Sequence, residues 1–342
     1  MTTRITTSIV LHDSALDIVA CLEALADQTR PPDAVAILDN ASSDGGIELA
    51  ARVMPQARLI RSPENIGFAA GHNRAIALEP ADVHLVLNPD CRLAPGFLEA
   101  AVCAFESDPR AGSVSGRLLR FRSDSLDGGP LEELDDDALD STGMVGRRNR
   151  RVLDRGGELP ARGRDLQDAY VFGASGAAAV YRRAMLEDVA FEGQVFDEAF
   201  FAFREDVDLA WRAQMLGWSC RYVPAALGRH RRRVAPGRRR NVPSRINRLS
   251  VANRWRMIAK NETAAGWAKD WWAIGTRDVG VLAYASIREP RTIGAVIDVV
   301  RDARRLQAWR RDIMRRRRVA DDDVIAWFGR DEERPVADPA AP

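Results

Sequence analysis

Apolar positions in the first 120 residues fall into short runs that alternate between two periods. Ile5 to Leu11, Ala34 to Leu38, Ala57 to Arg61, Val83 to Leu87 and Gly112 to Phe121 read as strands. Between them, Leu16 to Ala26, Ile47 to Val53, Ala69 to Leu78 and Phe97 to Glu106 read as helices, the second starting near Ser43 or Asp44. This alternation predicts βαβ units and a mixed, mainly parallel sheet flanked by helices. The order fails from Ser123 to Asp168, where Gly128-Gly129-Pro130, the acidic run Glu132 to Asp137, the basic run Arg147 to Arg151 and Gly156-Gly157 follow one another. That insert reads either as a mobile loop over a site or as plain disorder. Helix resumes over Leu209 to Leu216 and a strand over Ser219 to Val223. The expected organisation is an α/β domain over 1–240, a helical extension over 241–330 and a disordered tail from 331 to 342.

At 342 residues and 46% hydrophobic content, the chain suffices for a full α/β core with a smaller second region. Its four cysteines, Cys21, Cys91, Cys103 and Cys220, have no CxxC spacing, which argues against a zinc or disulfide framework and fits a reducing cytosol. Met1-Thr2-Thr3-Arg4 runs straight into the first strand, so no signal peptide is expected. No apolar run approaches the roughly 18 residues of a membrane span. The net charge of +1 conceals a division: residues 1–143 carry 11 Lys+Arg against 23 Asp+Glu, a net of −12 that leaves +13 for the remainder. The C-terminal part should therefore meet anions, whether nucleotide phosphates, acidic lipid headgroups or nucleic acid.

Chemistry enters at four places. The run Val83 to Leu87 stops at Asn88-Pro89 and delivers Asp90 to the C-terminal tip of a strand, where ligands of open α/β sheets bind; a carboxylate there suits a metal or phosphate site. Asp39-Asn40-Ala41-Ser42-Ser43-Asp44 follows the second strand and reads as a helix cap with turn residues or as part of a nucleotide pocket. The glycines of Asn65-Ile66-Gly67-Phe68-Ala69-Ala70-Gly71-His72-Asn73 serve a tight turn or a close approach to a ligand. Glu205-Asp206-Val207-Asp208 opens a helix, where acidic residues favour the helix dipole by about 0.3–1 kcal/mol each. Three exceed what a cap requires, and helical spacing sends Asp206 and Asp208 in different directions.

In their order and spacing over roughly residues 5 to 235, these motifs, with Gly173-Ala174-Ser175-Gly176 and Phe196-Asp197-Glu198-Ala199-Phe200-Phe201, resemble the family 2 glycosyltransferases of the GT-A fold, and within them the bacterial rhamnosyltransferase-like enzymes. The resemblance implies an inverting, metal-dependent transfer of a single sugar from a dTDP- or UDP-sugar, with dTDP-rhamnose favoured, to a cell-surface glycan or lipid-linked acceptor. It implies that Asp90 holds Mg²⁺ or Mn²⁺, with His230 a metal or diphosphate ligand or merely structural. Asp206 would be the general base, supported by Glu205, with Asp208 structural. Asp39, Asn40, Ser42, Asp44, Asn65, Gly67, Phe68, Gly71, Asn73 and Asn88 would form the nucleotide-sugar site, and Gly173 to Gly176 a small-residue wall beside the acceptor.

The chain departs from the family pattern in three places. His12-Asp13 stands where the family commonly has Tyr-Asn, and Asn88-Pro89-Asp90 offers one carboxylate where a pair is common. Val251 stands where processive synthases have glutamine ahead of Arg-Trp, here Arg254-Trp255, which points to single-sugar transfer. A sugar nucleotidyltransferase would need a glycine-rich basic loop, which Leu11-His12-Asp13-Ser14 does not supply. A nucleic-acid-binding protein would explain the arginine runs but not the acidic first half, so no nucleic acid is expected. Beyond residue 240, Trp255, Trp267, Trp271 and Trp272 and the arginines up to Arg318 read as a helical appendage packed on the first domain or as a surface that docks on anionic membrane. The expected location is cytoplasmic, with a peripheral position at the inner face of the cell membrane.

Overall fold

The computed structural model describes residues 3–120, 138–157, 163–231, 244–329 and 334–335. Strands β1 (Ile5–Leu11), β2 (Ala34–Asn40), β3 (Arg58–Ser62) and β4 (Val83–Leu87) alternate with helices α1 (Ala15–Ala26), α2 (Gly46–Val53) and α3 (Gly67–Leu78). The four strands pair in parallel in the order β3-β2-β1-β4, as the alternating pattern predicts. There follow β5 (Cys91–Leu93), α4 (Phe97–Ser107), β6 (Ala111–Arg120), β7 (Leu139–Ser141), β8 (Met144–Gly146), β9 (Val152–Asp154), β10 (Ala169–Val171), β11 (Ala178–Arg182), α5 (Arg183–Val189), α6 (Glu205–Met215) and β12 (Ser219–His230). Antiparallel β11 joins β4 to β6, and the sheet continues through parallel β12 to β10. The sheet is therefore mixed, with its parallel half at the N-terminal edge.

Two segments depart from expectation. Residues 138–157 of the insert are ordered: β7 adds to β6, while β8 and β9 form a separate hairpin. Arg150, from the basic run, is fully buried, its guanidinium donating to Glu262 and to Asp270 at 2.7 Å. The glycine-proline turn and the acidic run Glu132 to Asp137 lie outside the described residues. Strand β12 runs seven residues past Val223, because register shifts absorb Pro224 as a bulge and let the ladder with β6 resume at Leu227. Of the tail, Arg334–Pro335 pair with β10.

The C-terminal helices are α7 (Ser244–Asn261), α8 (Ala264–Arg288), α9 (Gly294–Arg301), α10 (Ala303–Arg316) and α11 (Asp321–Ile325). They are not a separate layer. Phe200, Trp211 and Met215 from around α6 share one apolar cluster with Met257, Ile274, Trp309 and Phe328. A polar seam runs beside it: the fully buried ammonium of Lys260 donates to Asp197 at 2.7 Å and Asp208 at 2.9 Å, and Asn261 donates to Asp208 at 2.8 Å. Burial pushes the Asp197 carboxyl up, but Lys260 and Arg305 outweigh it and hold it below the ordinary range. Among the described residues no helix is long and apolar enough to cross a membrane.

Candidate active site

Strand pairing brings Asp90 and His230, the two candidate metal ligands, together. After β4, Asn88-Pro89-Asp90 crosses the sheet tip into β5, and the antiparallel register of β12 with β5 sets His230 opposite Cys91, next to Asp90. His230 Nε2 lies 3.3 Å from Asp90 Oδ1, and its Nδ1 lies 2.7 Å from Oδ2 of the fully buried Asp140. Arg120 Nε stands 3.4 Å from the other Asp140 oxygen. Burial pushes the His230 imidazole down, but its hydrogen bonds to Asp140 and Asp90 outweigh burial and raise its pKa to about 9. An imidazole fixed by a carboxylate on one nitrogen and facing a second carboxylate on the other is a donor set that fits a divalent cation. Cys91 Sγ is also within reach, all three ligand atoms lying within 4.8 Å of one another. That sulfur donates to the Ala177 carbonyl at 3.2 Å, and burial together with Asp90 pushes its pKa up.

The second carboxylate pair sits on a strained turn. Phe201, Phe203 and Arg204 have φ of 59°, 70° and 71°, the left-handed region that non-glycine residues avoid. The turn is held from outside: Asn253 Nδ2 on α7 donates to the carbonyls of Phe200, Ala202 and Phe203 at 2.8, 3.0 and 2.8 Å, and Arg204 Nε donates to the Ser250 carbonyl at 3.2 Å. Helix α6 then opens with Glu205 and Asp206 in its first turn. Asp206 accepts from the Gly176 amide at 3.0 Å and the Val207 amide at 2.8 Å. Burial nevertheless holds its pKa above the ordinary carboxylate value. Burial, then the charge of Asp206, pushes Glu205 well above its usual range, and Glu205 Oε2 has no hydrogen-bond partner among the described residues. Asp208 turns away into the core, onto Arg212 and Lys260.

Both pairs open into one cavity of about 670 Å³. Asn88, Asp90 and His230 line it together with Glu205, Asp206, Ser175 and Gly176. Phe68 joins the lining, and Arg120 and Arg204 add positive charge. The insert contributes Met144 from β8 and Val152 and Leu153 from β9. Arg120, Asp140, Arg204 and the hairpin residues carry no motif, and only tertiary pairing brings them here. A Cβ at Gly176 would stand 3.3 Å from Asp206 Oδ2, a tight contact, and 3.5 Å from the Phe68 ring, an ordinary one.

The remaining residues expected to bind the nucleotide do not line this cavity, and most are engaged in holding loops together. Asp39 Oδ1 accepts from the Ser42 amide at 3.0 Å, and the Ser42 hydroxyl accepts from the Asp13 amide at 3.2 Å. Asp44 accepts from Ala15 and Gly46 amides at 2.6 and 3.0 Å, tying the starts of α1 and α2. Asn40 and Asn65 join the tips of β2 and the loop after β3 at 2.9 Å. Gly67, at φ +85°, lets the Phe201 carbonyl come within 2.4 Å of where a Cβ would stand, and Gly71 admits Val10 in the same way. Asn73 pairs with both backbone groups of Phe196, at 2.7 and 2.9 Å.

Residues 8–190 match the family model described as glycosyl transferase family 2. Over 246 residues, spanning 64% of this chain and 72% of the relative, the sequence is 31% identical to the N-acetylglucosaminyl-diphospho-decaprenol L-rhamnosyltransferase of Mycobacterium tuberculosis. Among solved structures, the mannosyltransferase PcManGT from Pyrobaculum calidifontis, in complex with GDP-Man and Mn²⁺, superposes with a TM-score of 0.52 at 17% identity, covering 96% of this chain and 86% of that one. S. aureus TarS 1-349 with UDP-GlcNAc gives 0.51 at 15% identity, covering 95% and 89%. GalNAc-T7 with UDP, GalNAc and Mn²⁺ gives 0.57 at 11% identity over 75% of this chain, which spans about half, 48%, of that longer protein. With a family model covering more than half its length and this fold, the chain belongs to glycosyl transferase family 2 and is a glycosyltransferase of the GT-A fold.

Proposed function

We propose that the protein transfers a single rhamnosyl residue, with inversion, from dTDP-rhamnose to an N-acetylglucosaminyl-diphospholipid acceptor at the inner face of the cell membrane. The observation that carries this reading is the placement of Asp90 with His230 and of Asp206 with Glu205 on the walls of one cavity. The likeness to the mycobacterial rhamnosyltransferase supports the transferred sugar and the acceptor.

A Mg²⁺ or Mn²⁺ ion bound at Asp90 and His230 would neutralise charge on the departing diphosphate. Arg120 and Arg204 add fixed positive charge to the same cavity, where the leaving group gains negative charge. Asp206, held by the Gly176 amide, accepts the proton of the acceptor hydroxyl as its oxygen bonds to the anomeric carbon and the bond from that carbon to the diphosphate oxygen breaks. One displacement on one face inverts the anomeric configuration. Its raised pKa makes Asp206 a stronger base than an exposed aspartate, and the neighbouring Glu205 is pushed up further by burial and by the charge of Asp206. The hairpin residues Met144, Val152 and Leu153 give the cavity apolar surface beside the carboxylate of Asp154, and that surface suits the 6-methyl of a deoxysugar.

The test is thermal shift and turnover of the purified chain with dTDP, UDP and GDP and their sugars, with Mn²⁺ or with EDTA. Stabilisation by dTDP-rhamnose that EDTA or Asp90→Ala removes, with transfer to a diphospholipid acceptor, is the expected result. A ligand at about 100 times its Kd adds about 2.7 kcal/mol. Metal-dependent stabilisation by UDP or GDP sugars alone would sink the donor assignment.

A further inference from the structure

Helices α8 and α9 present a face that no other described element covers. Of the 14 large apolar side chains exposed among the described residues, ten lie between 267 and 300, including Trp271 at 60%, Ile287 at 78% and Val300 at 67% exposure. Charge is sorted over the same stretch. From 264 to 304 the exposed charged side chains are Lys269, Arg288, Arg291, Arg301 and Arg304, all cationic. Each aspartate turns inward onto an arginine: Asp270 onto Arg150, Asp278 onto Arg254, Asp298 onto Arg248 and Asp302 onto Arg256. Tryptophan, tyrosine and aliphatic groups ringed by cations suit the interface of an anionic bilayer. A second copy of the chain would seat this face badly, because a two-fold interface would set these cations against themselves.

Beneath the face lies a second cavity of about 780 Å³. Arg204 and Ser250 line both it and the active-site cavity, so the two adjoin. Its walls carry four arginines, Arg151, Arg204, Arg254 and Arg277, against one carboxylate, Glu289. Val251, Val281 and Tyr284 make its apolar side, and Tyr284 is itself 60% exposed, which joins the cavity to the outer face. We infer that the α8–α9 face docks on anionic membrane and that this cavity takes the diphosphate and first isoprenoid units of the acceptor, presenting its sugar to Asp206. The inference deepens the proposed function and rests on its reading of a lipid-linked acceptor.

The docking half is tested without any turnover. The full chain is sedimented with vesicles of phosphatidylcholine alone or with phosphatidylglycerol, alongside the triple variant Trp271→Ser, Trp272→Ser, Ile287→Ser. Binding to anionic vesicles that falls about tenfold or more in the variant and at high salt is expected. Equal binding to neutral vesicles, unchanged binding by the variant, or a stable oligomer in light scattering that the variant dissociates would overturn it. The cavity half is read from Arg277→Ala with a short-chain soluble diphospholipid acceptor. Its acceptor KM should rise about tenfold while the thermal shift with donor nucleotide stays as in the parent. An unchanged acceptor KM would overturn the cavity assignment. A parent that binds anionic vesicles but turns over no diphospholipid acceptor would overturn the proposed acceptor while leaving the docking face standing.

Discussion

The loops at the parallel edge of the sheet and the turn before α6 solve the same problem in opposite ways. The loops after β1, β2 and β3 are held by short side chains from one another: Asp39 by Ser42, Asp44 by the start of α1, Asn40 by Asn65. Their partners all lie within the first 75 residues. The turn from Phe201 to Arg204, with three non-glycine residues at positive φ, is held by Asn253 and Ser250 on α7, some 50 residues away in sequence. These three loops lean on one another, whereas the turn that carries Asp206 is held by the C-terminal helices. A strained element persists only where its surroundings over-determine it.

The comparison breaks most visibly at the base. Asp206→Asn should cost about 10²–10⁴-fold in kcat while leaving nucleotide-dependent thermal shifts intact, since it touches only the acceptor side; retained turnover would remove Asp206 from that role. Next, Lys260→Met leaves Asp197 and Asp208 short of a buried cation and should destabilise the fold by about 3–5 kcal/mol, read from denaturant melts. An Asp44→Ala change, confined to the loops, should cost less than half of that.

Asn253→Ala removes the side-chain donor of the Phe200, Ala202 and Phe203 carbonyls and should cost about 1–3 kcal/mol. More tellingly, it should lower kcat with the donor KM little changed, which a merely destabilising change would not do. A smaller effect concerns pH. Because Asp206 must be ionised to act and burial raises its pKa, kcat/KM should fall on acidification at a pH above the value of about 4 typical of an exposed aspartate. The smallest is in stability. Glu205 ionises at a cost in the fold, so Glu205→Gln should raise Tm by about 1–3 °C at neutral pH. That gain should shrink as pH falls through the raised pKa towards about 4, where both folded and unfolded states carry the proton.

What the sequence reveals follows the same division. The alternation up to Arg120 reads correctly because most elements there bury one period, the exposed edge strand β3 apart, and Asp90, Glu205 and Asp206 stand out because carboxylates at a strand tip and a helix start are visible locally. The extension of β12 to His230 is hidden by Pro224, which ends the apolar run without ending the ladder. Strands β7 to β9 are three residues each, too short for any period to register. Arg150 looks like part of a solvated basic run, and its burial depends on Glu262 and Asp270, more than 100 residues on. Asn253 and Lys260 sit in an unremarkable polar helix and take their meaning only from what folds against them.

The apolar cluster that joins Trp211 on α6 to Trp309 on α10 and Phe328 beyond α11 has a consequence for engineering and for inheritance. The last hundred residues cannot be treated as a cassette, to be trimmed for a minimal enzyme or exchanged with a relative to redirect its acceptor, because the seam of such a graft would run through the pillar on which the base stands.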